Sequence, residues 1–295
     1  MDSANLSQLL LPVALFLIMF GIGLSLTPAD FLRLTQQPKP VVLGVALQLV
    51  GLPAFGFLVI CVFSLPPVYA VGIAILTFAP GGATSNMISY LCRADTALSV
   101  SLTALASVVT PLSLPLMSYV AVGYFMGLSV EVNVPILQTI TKLIVISLLP
   151  VALGMWLRHY KVAVAMRLQP VIKWASLLFM LTVVIGLLVA NRDQLWELSS
   201  VAVPAVLTLS VGAMALGALI ARIARLPWEQ ALTLGIETGI QNAGLALVIT
   251  GTVLQDQTMS TVVLMYGILM QVPAILLVLY RNLPAGKSRW VMPPS

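Results

Sequence analysis

The stretch GIETGIQNAG, residues 235–244, sits inside a long apolar run yet carries a carboxylate, Glu237, and two adjacent amides, Gln241 and Asn242, among three glycines. A charged side chain at the middle of a membrane-spanning helix costs roughly 2.5–3.5 kcal/mol or more. Polar contacts between such helices return only about 0.6 kcal/mol each. Packing alone does not offset the cost of Glu237; a bound cation does.

The rest of the chain supplies the membrane. Of 295 residues, 60% are hydrophobic and only 8% charged, against about 25% charged in a soluble domain. This composition predicts an all-α polytopic membrane protein embedded in the lipid bilayer. Turns and charges divide it into about nine apolar segments, 6–27, 40–63, 67–92, 95–126, 133–158, 168–190, 198–224, 228–252 and 256–281. Most exceed the ~20 residues that a spanning helix needs. The first run follows MDSAN, which has no positive charge, and is expected to be a retained span.

Charge sets the orientation. With the N-terminus outside, Arg33, Lys39, Arg93, Arg158, Lys161, Arg167, Lys173, Arg222, Arg225, Arg281, Lys287 and Arg289 all fall inside, and only Arg192 falls in an outer loop. The outer side carries Asp2, Glu131, Asp193, Glu197 and Asp256. This is the positive-inside pattern of a cell (inner) membrane protein with a cytoplasmic C-terminus. It accounts for Lys+Arg 14 against Asp+Glu 9 with no nucleic acid partner. Lys142, about a third of the way into the fifth segment, is expected either to snorkel or to line a cavity. Cys61 and Cys92 fall near opposite faces, so a disulfide between them is not expected.

The third segment is interrupted by Pro80-Gly81-Gly82 and continues with Thr84, Ser85 and Asn86. Proline removes a backbone donor and clashes with the preceding turn. The freed groups are tolerated at membrane depth only in a protein-lined or wet cavity. One interrupted, polar-centred span in each half of the chain is the pattern of inverted-repeat transporters, and a shift of about 156 residues overlays the second, third and fourth segments on the seventh, eighth and ninth. The donors available are carboxylate, amide, hydroxyl and carbonyl oxygens, suited to a hard cation rather than zinc or copper. His159, the sole histidine, lies in an inner loop. Sodium fits these donors, with protonation of Glu237 as the alternative.

At these residues the chain resembles the bile acid:sodium symporter family, through IMFGIGLSLTPADF (18–31), APGGATSN (79–86), YLCRADTALSVSLT (90–103) and LPWEQALTLGIETGIQNAGLAL (226–247). The resemblance implies a core domain, approximately 40–126 and 198–281, in which two broken helices cross, and a panel domain, approximately 6–27 and 133–190. It implies one sodium site from Ser85, Asn86, Ser99, Thr103 and Glu237. A second would combine Gln48, Glu237 and Gln241 with the carbonyls of Thr238 and Ile240. Substrate would lie near Asn86, Asn242, Gln271 and Ala83. Some bacterial relatives place a hydroxyl at the position of Ala83 and other polar residues at Met270 and Gln271.

The expected function is therefore sodium-coupled symport of an organic anion, bile-acid-like or a small carboxylate, with two sodium ions per substrate. The half-helices beginning near Ser85 and Gln241 would turn positive dipole ends toward its acid group. Proton-coupled transport through Glu237 is the alternative. An enzyme would need a nucleophile–base or metal constellation, and the position of His159 does not supply one.

Overall fold

The computed structural model describes residues 3–127, 135–190 and 192–283. Asp2, Glu131, Lys287 and Arg289, which contribute to the orientation argument, lie outside them, as do the side chains of Asp193 and Glu197. The described residues form helices joined by short turns. Seven continuous helical stretches are long and apolar enough to cross a membrane.

The chain opens with α1 (Ser3–Ser25). It bends by 71° into α2 (Pro28–Gln36), where the Thr27 N–H and hydroxyl both donate to Asp30 Oδ2 at 2.8 Å. The stretch Pro38–Val62 consists of α3 (Pro38–Ala46), one π-helical turn (Leu47–Gly51) and α4 (Leu52–Val62). The π turn has a local cause. Pro53 has no N–H to offer one turn back and its ring crowds that carbonyl, so the ladder slips and the Leu52 N–H returns to Leu47 O. The stretch Ile136–Tyr160 repeats the device ahead of Pro150: α8 (Ile136–Leu143), a π turn (Ile144–Leu148) and α9 (Leu149–Tyr160).

Between them, α5 (Pro67–Thr77) and α6 (Ala83–Leu91) are separated by the Pro-Gly-Gly break, and α7 (Thr96–Met126) follows. After α9 come α10 (Val162–Ala190) and α11 (Arg192–Ile223). The eighth expected segment is α12 (Trp228–Gly239), a break at 240–242, α13 (Ala243–Val248) and a π turn (Ile249–Val253). The ninth is α14 (Gln257–Leu269) and α15 (Gln271–Asn282), parted only at Met270, just before Pro273, which has no N–H to donate.

The two interrupted segments share their punctuation. Each begins after a residue in the left-handed region followed by Leu-Pro: Ser64 (φ 48°) before Leu65-Pro66, and Arg225 (φ 58°) before Leu226-Pro227. Each ends at another left-handed residue, Arg93 (φ 55°) or Gln255 (φ 54°). An aspartate then caps the next helix. Asp95 Oδ1 accepts from Leu98 N at 2.9 Å, and Asp256 Oδ1 accepts from Met259 N at 2.8 Å. Pro66 and Pro227, like Asp95 and Asp256, stand 161 positions apart. The correspondence is thus 161 rather than about 156, and it resides in turns and caps rather than in the apolar residues between them.

Packing gives the helices different neighbours. α1 lies against α9 and α10, whereas α12 lies against α11, and α5 against α7 and α14. In the stretch Trp228–Val253 residues 231–241 and 245–250 are all buried, whereas in Val162–Val189 only Ala165, Ser176 and Val183 are. The helix that carries Glu237 is therefore enclosed by protein rather than lipid. Cys61 is exposed and Cys92 buried, both as free thiols.

Candidate functional site

The two breaks meet. The backbone N–H of Asn242 donates to the carbonyl of Ala79 at 2.9 Å, so each break satisfies a polar group left over by the other. Asn242 also caps α13, its Oδ1 accepting from Leu245 N at 3.1 Å.

Glu237, one residue-pair before the end of α12, is 1% exposed. Its Oε1 lies 2.5 Å from Ser99 Oγ, which also lies 2.7 Å from Asn86 Oδ1, and Thr103 Oγ1 donates to the same Asn86 oxygen at 3.1 Å. A serine hydroxyl has a single proton, so it bonds one of these two acceptors and leaves the other facing an oxygen. Ser99 and Thr103, four apart on α7, present one helix face. From the first π turn, Gln48 Nε2 donates to Glu237 Oε2 at 3.4 Å. Gln241 Nε2 donates to the carbonyls of Thr238 (2.8 Å) and Glu237 (3.2 Å), while Gln241 Oε1 is buried with no hydrogen-bond partner.

Ser85 donates to Gly82 O at 2.8 Å and stands beside the carboxylate. A Cβ placed on Gly81 would lie 2.8 Å from Ile240 O, 2.8 Å from Ser85 Oγ and 3.0 Å from Glu237 Oε2. Carbonyl, hydroxyl and carboxylate from the two interrupted segments therefore converge on a point that only glycine leaves open. Crowded oxygens, an unpartnered amide oxygen and one enclosed carboxylate could hold a hard monovalent or divalent cation. Among the described residues no three His, Cys, Asp or Glu side chains gather, so the set does not resemble a transition-metal site.

The geometry thus gathers Ser85, Asn86, Ser99, Thr103, Gln48, Glu237, Gln241 and the Ile240 carbonyl. The Thr238 carbonyl is occupied by the Gln241 amide. A small cleft adjoins the cluster, lined by Gly81, Gly82, Thr103, Ser107, Thr110 and Asn242 on one side and by Met19, Ile22 and Ser147 on the other. Asn242 belongs to it, but Asn86, Ala83 and Gln271 are not among its walls. Ala83 is exposed at the start of α6, and Gln271 turns its amide to Gly267 O at 3.4 Å. Ser107, Thr110, Ser147 and the place of Gly81 beside Ile240, Ser85 and Glu237 have no sequence signal beyond being small or polar within apolar helices. From α8 the Lys142 Nζ donates to Thr252 O, at the far end of the Glu237 segment, at 3.3 Å.

Interrupted spans that meet at their breaks around a buried carboxylate define a class of membrane protein, the repeat-built secondary transporters. Comparison with known proteins gives the family. The chain belongs to the sodium bile acid symporter family, whose model matches residues 12–198. It is 29% identical over 238 residues to the sodium-dependent transporter YocS of Bacillus subtilis, covering 79% of this chain and 71% of that one. With the human ileal sodium/bile acid cotransporter it shares 29% over 242 residues, covering 80% and 67%. With the human P3 protein it shares 31% over 254 residues, which is 83% of this chain but about half, 52%, of that protein. The family is one of sodium-coupled transporters, not enzymes, and this chain is an integral membrane protein of that kind.

Proposed function

We propose that the protein is a sodium-coupled symporter of an organic anion, bile-acid-like or a small carboxylate, working by alternating access with two sodium ions per substrate. The observation that carries this reading is the enclosed Glu237 carboxylate, ringed by Ser99, Ser85, Gln48 and the open oxygen of Gln241. One ion takes Ser85, Asn86, Ser99, Thr103 and Glu237. The other takes Gln48, Glu237, Gln241 and the carbonyls of Thr238 and Ile240, the first of which is released when the Gln241 amide turns away.

The substrate lies in the cleft beside the breaks, with Asn242, Thr110, Ser107 and Ser147 as polar contacts, Met19 and Ile22 as apolar wall, and Asn86, Gln271 and Ala83 along its route. The panel is approximately 6–27 and 133–190; the core is approximately 40–126 and 198–281, its halves related by inverted topology, in an inner membrane with the C-terminus cytoplasmic. Two observations support an inward-open state. The outer half of the Glu237 segment, α13 with its π turn, packs on α1, and α6 leaves Met87 and Tyr90 43% and 70% exposed.

Thermal stabilisation of the purified protein by taurocholate and by pantoate, each in sodium and in potassium, tests the reading. A larger shift in sodium for one of these anions supports it, and equal shifts in both salts oppose it. A second reading, proton coupling, is favoured by one fact: Glu237 has no basic side chain among its described partners. Uptake driven by a pH gradient without sodium would select it.

A further inference from the structure

The break after α12 leaves a carbonyl whose fate does not follow from the ion cluster. In an uninterrupted helix the carbonyl of Gly239 accepts the amide of residue 243. Here the Ala243 N–H goes to Gln241 O at 3.1 Å. Two hydroxyls from two other helices take its place: Tyr266 of α14 donates to Gly239 O at 2.9 Å, and Ser210 of α11 donates to it at 3.3 Å. Both donors are 0% exposed, and together they fill both lone pairs of the oxygen. Gly239 reaches them because it has no Cβ, which would collide with Met214 and with the Ser210 carbonyl.

The carbonyls around Gly239 face the other way. Glu237 O and Thr238 O meet the Gln241 amide, and Ile240 O meets the point beside Gly81 where Ser85 and Glu237 converge. The Gly239–Ile240 peptide is planar, so pinning the Gly239 oxygen fixes that whole plane. The same plane is held at its other edge by the Ile240 N–H, which donates to Ile236 O at 2.9 Å, and only the two dihedrals of Ile240 (φ −111°, ψ 105°) then separate the pinned plane from the Ile240 carbonyl. Phenylalanine would fill the space of Tyr266 without a buried hydroxyl to satisfy.

We infer that Tyr266 and Ser210 are positioning residues of the ion site, clamping the Gly239 carbonyl so that the Ile240 carbonyl stays turned onto the cluster around Glu237. The inference rests on reading that cluster as a sodium site. It ties span nine to ion binding through a residue that touches no ion, and it makes the broken segment preorganised rather than slack.

The test is sodium titration of the purified protein at constant ionic strength, read as thermal stabilisation, for the unaltered protein, Tyr266→Phe, Ser210→Ala and the double variant. Tyr266→Phe and Ser210→Ala are each expected to raise the half-saturating sodium concentration about two- to tenfold, the loss of one hydrogen bond, and the double variant further. The melting temperature in potassium should move little for Ser210→Ala, which changes only a small group. An unchanged half-saturation in both single variants and in the double variant, whatever happens to the melting temperature in potassium, overturns the assignment and leaves the two hydroxyls as packing. If the unaltered protein gains no stability from sodium, the sodium-site reading itself falls and this assignment with it.

Discussion

The backbone N–H of Asn242 donates to the carbonyl of Ala79 across 2.9 Å, joining two helix breaks 163 residues apart in sequence. Each break exposes polar backbone at membrane depth, where it must be satisfied by protein, ligand or water. By meeting, they satisfy part of this demand mutually and bring Gly81 against Ile240, Ser85 and Glu237.

Gly81→Ala is expected to abolish sodium-dependent stabilisation while the protein still inserts, because the new methyl group would occupy the point between Ile240 O, Ser85 Oγ and Glu237 Oε2. Sodium titration of the purified variant checks this. Retention of the unaltered sodium response would place the ion elsewhere.

Much of this was legible in the sequence. Pro80-Gly81-Gly82 cannot continue a helix, and a carboxylate in GIETGIQNAG cannot be left bare in lipid, so both breaks and the enclosure of Glu237 by protein follow from local chemistry. The 161-residue correspondence was not legible as identity, since it is held by left-handed turns and aspartate caps while the apolar residues between are interchangeable in packing. Tyr266, Ser210 and Gly81 were illegible for another reason: their roles depend on which distant backbone atom each one meets.

Ser99→Ala, Thr103→Ala and Gln48→Ala each remove one oxygen-bearing group of several. Each is expected to raise the sodium requirement for uptake severalfold, with the rate largely restored at high sodium. A variant whose sodium dependence is unchanged does not belong to the ligand set.

Lys142→Met is expected to loosen the contact between α8 and the end of the Glu237 segment, because it removes a cation from a helix C-terminus where carbonyls lack onward donors. In a Cys61→Ser background, a cysteine at Ser147 in the cleft should then react faster with a membrane-impermeant thiol reagent added from outside. An unchanged rate would mean that the Lys142–Thr252 bond does not seal the outer side.

Two sodium ions with one monovalent anion carry one net positive charge inward, and a charge crossing 100 mV gains about 2.3 kcal/mol. Uptake should therefore accelerate when the vesicle interior is made negative. Indifference to voltage would indicate one sodium per anion.

The most direct measurement is uptake of taurocholate and of pantoate into proteoliposomes under an inward sodium gradient with pH equal on both sides, for the unaltered protein and for Glu237→Gln. The account predicts sodium-driven accumulation of at least one of these anions by the unaltered protein and its loss in Glu237→Gln, which keeps the shape of the side chain and removes its charge. Accumulation that persists when potassium replaces sodium, or that survives in Glu237→Gln at the unaltered rate, would contradict it.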